Sequence, residues 1–109
     1  MSYNIIYTDE FAKEIKRLSK KHLSLKKDFK LLLEALSANP KTGTPLGNDC
    51  FKIRLSVTSK GKGKSGGARV ITHVAVIMET IILISIYDKS ELSAITDVEI
   101  KARLRKYIK

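Results

Sequence analysis

The sequence predicts an α+β fold: a single compact domain in the order βααβββα, whose antiparallel-rich four-stranded sheet is packed by an N-terminal helical hairpin, with a C-terminal helix. Three observations predict it. Two apolar stripes of helical period follow one another between residues 9 and 39, three β-rich runs occupy residues 50–87, and a capping signal opens a last helix at Thr96. A chain of 109 residues supports one core and is too short for two, so residues 1–109 read as one domain.

Residues 3–7, β-branched and aromatic, predict a first strand. Thr8 then reads as a helix N-cap, with Asp9 and Glu10 where acids meet the positive end of the helix dipole. Phe11, Ile15 and Leu18 give the first helix its stripe, to about Lys20. Ser24 is placed to cap a second helix striped by Leu25, Phe29, Leu32, Leu33 and Leu36, which Asn39-Pro40 stops. Residues 41–49, broken by Gly43, Pro45 and Gly47, predict a loop. Strands are expected at about 50–58, 68–78 and 81–87, the last two joined tightly through Met78-Glu79-Thr80. Ile81 to Ile86 is apolar on both faces, as in a central strand. Thr96-Asp97-Val98-Glu99 reads as a capping box before a stripe of Ile100, Leu104, Tyr107 and Ile108, with Lys101, Arg103, Arg105 and Lys106 on the other side.

Twenty-one Lys and Arg against 11 Asp and Glu leave a net charge of +10, which favours a nucleic acid or an acidic protein as partner. No run is long enough to span a bilayer, and no basic-then-apolar start suggests secretion, so a cytoplasmic location is expected. The single cysteine, Cys50, excludes an internal disulfide and reads as a small buried filler. With only His22 and His73 beside it there is no zinc pattern, and no metal or other cofactor is expected.

The candidate site lies in the middle strands. Phe51, Ile53, Leu55 and Val57 point one way, and Lys52 and Arg54 the other, about 6–7 Å apart by strand rise. Arg69, near the start of the next strand, can join them, and fixed cations on a β-surface suit a polyanion. His73 shares a side with Arg69 by alternation and titrates in a useful range. Tyr87 ends the last strand, where it can stack on a base or donate a proton. Lys60, Lys62 and Lys64 make a cationic loop that suits RNA, without the spacing of a phosphate-cradling P-loop.

The loop Pro45-Leu46-Gly47-Asn48-Asp49-Cys50, the strand Phe51-Lys52-Ile53-Arg54-Leu55, the strand start Gly67-Ala68-Arg69-Val70-Ile71 and the run Ile84-Ser85-Ile86-Tyr87-Asp88-Lys89 occur in that order. Taken together they resemble the RelE/ParE superfamily of bacterial toxin–antitoxin toxins, in its RelE-like and HigB-like branch, over essentially the whole chain. The resemblance implies a toxin that enters the ribosomal decoding site, cuts mRNA there, and is held inactive by an acidic, partly disordered antitoxin. Ribosome and mRNA are the other implied partners; no membrane or small-molecule ligand is expected.

The implied chemistry is metal-free transesterification. The ribose 2′-hydroxyl attacks the adjacent phosphate, which calls for a base, positive charge and an acid. The family's two basic strand positions fall on Lys52 and Arg54, and its next-strand arginine on Arg69. RelE also carries an arginine and a tyrosine after the last strand. Here Asp88 to Ile95 contain neither, and Lys89 fills the slot as in HigB-like relatives. Arg54 stands where RelE has a lysine, and a guanidinium is a poor base. The base and acid therefore stay open. Two other readings remain at this point: a ParE-like gyrase inhibitor, and a non-catalytic binding module.

Overall fold

The computed structural model describes residues 3–60 and 67–107. Its elements are β1 (Asn4–Tyr7), α1 (Asp9–Lys21), α2 (Leu25–Ala38), β2 (Thr44–Gly47), β3 (Cys50–Leu55), a 3-10 turn (Thr58–Lys60), β4 (Ala68–Ala75), β5 (Thr80–Asp88) and α3 (Asp97–Leu104). The five strands form one sheet in the order β1-β5-β4-β3-β2, parallel only between β1 and β5.

The sheet has one strand more than expected. Residues 44–47 pair antiparallel with β3, where the glycines and Pro45 predicted only loop. Gly43 has φ +108°, and a Cβ there would lie 2.6 Å from the Lys52 carbonyl oxygen, so only glycine lets β2 approach β3 this closely. Asn48 and Asp49 both have positive φ, as a two-residue hairpin turn of the primed kind requires. Pro45, with no N–H to donate, is tolerated because β2 is an edge strand.

Each sheet face has its own cover. Phe11, Leu18, Leu25, Leu32 and Leu36 of the helical hairpin bury Ile53, Leu55, Val70, Ile81, Leu83 and Ile86. The Phe11 and Phe29 rings, 5.6 Å apart, join the two helices. On the opposite face Cys50, Ile71, Ile82, Ile84 and Tyr87 form a smaller core under Ile100, edged by Ile95, Leu104 and Tyr107. All nine residues of β5 are buried, as its two-sided apolar run predicts.

Thr8 fixes the β1–α1 junction. Its Oγ1 accepts from the Phe11 N–H as the N-cap and donates to the Ile84 carbonyl at 3.0 Å. Ile84 is the extra residue of a bulge between β4 and β5. Arg103 Nη1 also donates to its carbonyl, at 3.1 Å. Beyond the end of β1 the edge of β5 is closed by Glu14, whose Oε1 accepts from Ile86 N–H and the Ser85 hydroxyl, while both its oxygens receive Arg103. Arg103 therefore turns inward, not to solvent as the basic side of α3 suggested. Thr96 caps α3 by accepting from Glu99 N–H, but the Glu99 carboxylate accepts from Arg103 instead of closing a capping box. Ser24 occupies the N-cap position of α2 without capping; its hydroxyl donates to Asp28.

Candidate active site

β3 and β4 pair with Arg54 opposite Arg69 and Lys52 opposite Ile71, and β5 places Tyr87 opposite Arg69. Arg54, Arg69 and Tyr87 thus form one row across three strands, spaced by about 4.8 Å per strand, with Lys52 two residues along. The row lies on the α3 side of the sheet, because Cys50, two residues before Lys52, packs in the core under Ile100. The alternation read from the sequence sets Lys52 and Arg54 on one face, and the β3–β4 register brings Arg69 to them.

Their environments differ. Arg54 is exposed and Lys52 half-buried, whereas Arg69 is only 3% exposed. One Arg69 nitrogen, Nη1, donates to the Ala68 carbonyl at 3.1 Å. Arg69, read from the sequence as a cation able to join Lys52 and Arg54, is thus buried, as are Ala68 and Val70 on either side of it. The Arg54–Arg69 register sets two guanidinium groups at neighbouring positions on one face, where an anion can meet the exposed one. Tyr87 is buried too. Burial raises the pKa of its phenol, with the Ile95 backbone and the Arg69 charge acting in the opposite direction.

His73 sits opposite Cys50 at the far end of the same face, Nδ1 3.5 Å from Sγ. Burial lowers the histidine's pKa, against Asp49 and the Asn48 backbone, and burial with Asp49 and Asp97 pushes the thiol up to about 11. The pair is therefore neutral near pH 7, and Cys50 packs as the small buried filler expected of it. Lys89 is exposed and donates its N–H to the Gly67 carbonyl, which keeps it beside the start of β4. Asp88 before it is buried, 3.1 Å from His22 Nε2, and accepts from Ser90 N–H and hydroxyl. Lys60 closes the 3-10 turn, while Lys62 and Lys64 lie outside the described residues.

Two features had gone unread. Asp28 is buried, and its carboxylate accepts from Thr58 N–H at 3.0 Å, Thr58 Oγ1 at 2.7 Å and Ser24 Oγ at 2.8 Å, tying α2 to the turn after β3. An Asp four residues after Ser24 was the available signal. Second, β2 pairs only as far as Lys52, and an open groove of about 810 Å³ runs between α2 and β3 beyond that point. Leu31, Leu32, Ala35, Ile53 and Leu55 line it, with Asp28, Lys52 and Arg54 as charged members. Among the described residues no group of three or more His, Cys, Asp and Glu could hold a metal ion, and no helix is long and apolar enough to cross a membrane.

No family model matches the sequence. Solved structures do match. A variant of Escherichia coli RelE in the free state superposes over 100% of both chains with a TM-score of 0.65 at 20% identity. The same toxin variant in complex with a RelB antitoxin peptide gives 0.56 at 26% identity, over 89% of this chain and 98% of that one. The RelBE2 toxin–antitoxin complex of Mycobacterium tuberculosis gives 0.58 at 15%, over 81% and 92%. The fold of this chain is the RelE fold.

Proposed function

We propose that this protein is the toxin of a toxin–antitoxin pair and a ribosome-dependent endoribonuclease. The observation that carries the reading is the convergence of Lys52, Arg54 and Arg69 on one face of a RelE-type sheet. In the proposed reaction the 2′-oxygen attacks the neighbouring phosphorus and the 5′-oxygen leaves. The products are a 2′,3′-cyclic phosphate and a 5′-hydroxyl. Arg54, the exposed guanidinium, contacts the non-bridging oxygens; buried Arg69 adds its charge from beneath as the phosphorane gains negative charge. Lys52 takes the 2′-proton, since an amine exchanges protons and a guanidinium does not. Lys89 returns a proton to the leaving oxygen. Tyr87 and His73 shape the face without taking a proton in this scheme.

Cleavage is tested in a purified translation system with a defined mRNA. Cuts within translated codons, bearing 5′-hydroxyl ends, are expected, and each of Lys52→Ala and Arg54→Ala should slow them by about 10²–10³-fold. Intact mRNA at micromolar folded protein would refute the reading.

The proposed antitoxin is an acidic segment that folds as it binds across Lys52, Arg54 and Arg69 and beside α3. Steering between opposite charges makes its association rate fall as salt rises, which stopped-flow mixing across a salt series checks. A rate indifferent to salt would exclude the cationic face as the guide.

A further inference from the structure

We infer that the outward side of the α1–α2 hairpin is a second polyanion-binding surface, fitted to the phosphate backbones of duplex RNA. It lies on the opposite side of the sheet from Lys52 and Arg54, because the hairpin covers one face and α3 the other. On α1, Lys13, Lys16 and Lys20 are exposed at i, i+3 and i+7, turned away from buried Phe11 and Leu18. On α2, Lys26, Lys27 and Lys30 are exposed and turned away from Leu25, Leu32 and Leu36.

These six lysines are exposed, though the Lys27 charge also acts on Asp28. Among the described residues none of them is in an ion pair, whereas their neighbours Arg17 and Lys21 both hold Glu91. The helices' own acids are largely engaged elsewhere: Glu14 with Arg103, and Asp28 with Thr58 and Ser24. Asp9 and Glu10 sit at one end of the surface, in the first turn of α1, and Glu34 lies in the second half of α2.

Composition and spacing favour nucleic acid over protein. Lysine is depleted in protein interfaces, and the aromatic and arginine anchors such interfaces use are missing from both lysine rows. Within α1 the three lysines are spaced by about 4.5 and 6 Å along the axis. Packed helices lie about 8–10 Å apart and the flexible lysine stems splay beyond that span, so the two rows can reach a ligand with two parallel lines of charge. An A-form duplex presents two backbones flanking a wide, shallow groove, and proteins read it mainly by shape and phosphate. Lysines on flexible stems match that readout without base contacts.

The test uses the isolated full chain and does not depend on cleavage. Binding to a 16-base-pair RNA duplex of arbitrary sequence is followed by fluorescence anisotropy between 50 and 200 mM salt. The triple variants K13Q/K16Q/K20Q and K26Q/K27Q/K30Q are compared with Lys52→Gln/Arg54→Gln. Each triple variant is expected to flatten the log–log salt slope by about 2–3, and the sheet-face variant by less than one. Equal flattening by all three would reduce the effect to net charge and overturn the inference. Lysine acetylation of the unmodified protein, with and without duplex, guards against misfolded variants. Protection of the six hairpin lysines supports the surface whether or not Lys52 is protected as well, and hairpin lysines that stay unprotected refute it.

Discussion

Glu14→Ala tests whether one carboxylate holds the cover over the active face. Glu14 joins three elements: it lies on α1, accepts from Ser85 and Ile86 of β5, and pairs with Arg103 of α3 at 3.0 Å through both oxygens. The Arg103 side chain is 11% exposed and that of Glu14 25%. Removing the carboxylate strands the Ile86 N–H and the Ser85 hydroxyl, at roughly 1 kcal/mol each. The guanidinium keeps Glu99 and the Ile84 carbonyl, so its loss is partial. The total comes to about 2–3 kcal/mol after discounting for the exposed part of the pair. With an unfolding entropy of about 2.1 cal/mol/K per residue, a chain of this length melts about 10 °C lower. Because Ile100 is the one residue of α3 buried to the core level, the amides of this helix should exchange with solvent disproportionately faster. Urea unfolding and hydrogen exchange measure both effects. A loss below about 0.5 kcal/mol, or strict additivity with Arg103→Ala in a double-mutant cycle, would refute the network.

Three further outcomes follow from the same geometry. Arg69→Ala should lower both cleavage and stability, since Arg69 is buried, whereas Arg54→Ala should lower cleavage and leave stability unchanged, since Arg54 is exposed; parallel kinetics and melts distinguish them. Cys50, its pKa pushed up to about 11, should react with a disulfide reagent at pH 8 far more slowly in the native protein than in denaturant, and rapid native labelling would exclude the buried thiol. Burial raises the pKa of Asp28, but the Thr58 and Ser24 hydrogen bonds and the Lys27 charge outweigh it, so the folded value lies below the ordinary 3.8. The stabilisation is then complete above the unfolded pKa and lost as pH falls through the folded one. Asp28→Asn should therefore cost stability at pH 6 and progressively less below about pH 4, as urea midpoints across pH would report.

The sequence made the alternating and helical periods plain because burial writes them directly. Phe11 and Leu18, Leu25 and Leu36, and the two-sided run of β5 all lie where their spacing put them. β2 was hidden because its pairing depends on backbone conformation, not on an apolar pattern. Its four residues are all exposed, and Gly43, Asn48 and Asp49 earn their places through positive φ. Arg103 was misplaced for a related reason. Its partner Glu14 stands 89 residues away, and no local pattern announces a pairing at that distance.

The cationic grouping of the site was legible in part while its burial was not, and that difference bears on mechanism. Alternation fixes the face a side chain points to within one strand, so Lys52 and Arg54 could be grouped from period, and the pairing of β3 with β4 then sets Arg69 beside them. Depth depends on what lies over the strand. Arg54 is open to solvent, whereas Arg69 and Tyr87 sit beneath their surroundings. In the proposed reaction this divides labour between contact and field. An exposed guanidinium can bind and release RNA quickly, and a buried charge one strand away acts through a lower dielectric, where its effect on a developing phosphorane is greater. Salt should then weaken RNA binding through Arg54 more than it slows the chemical step supported by Arg69. Single-turnover cleavage at saturating toxin, measured across a salt series, separates the two terms. A chemical step as salt-sensitive as binding would mean that Arg69 also works at the surface.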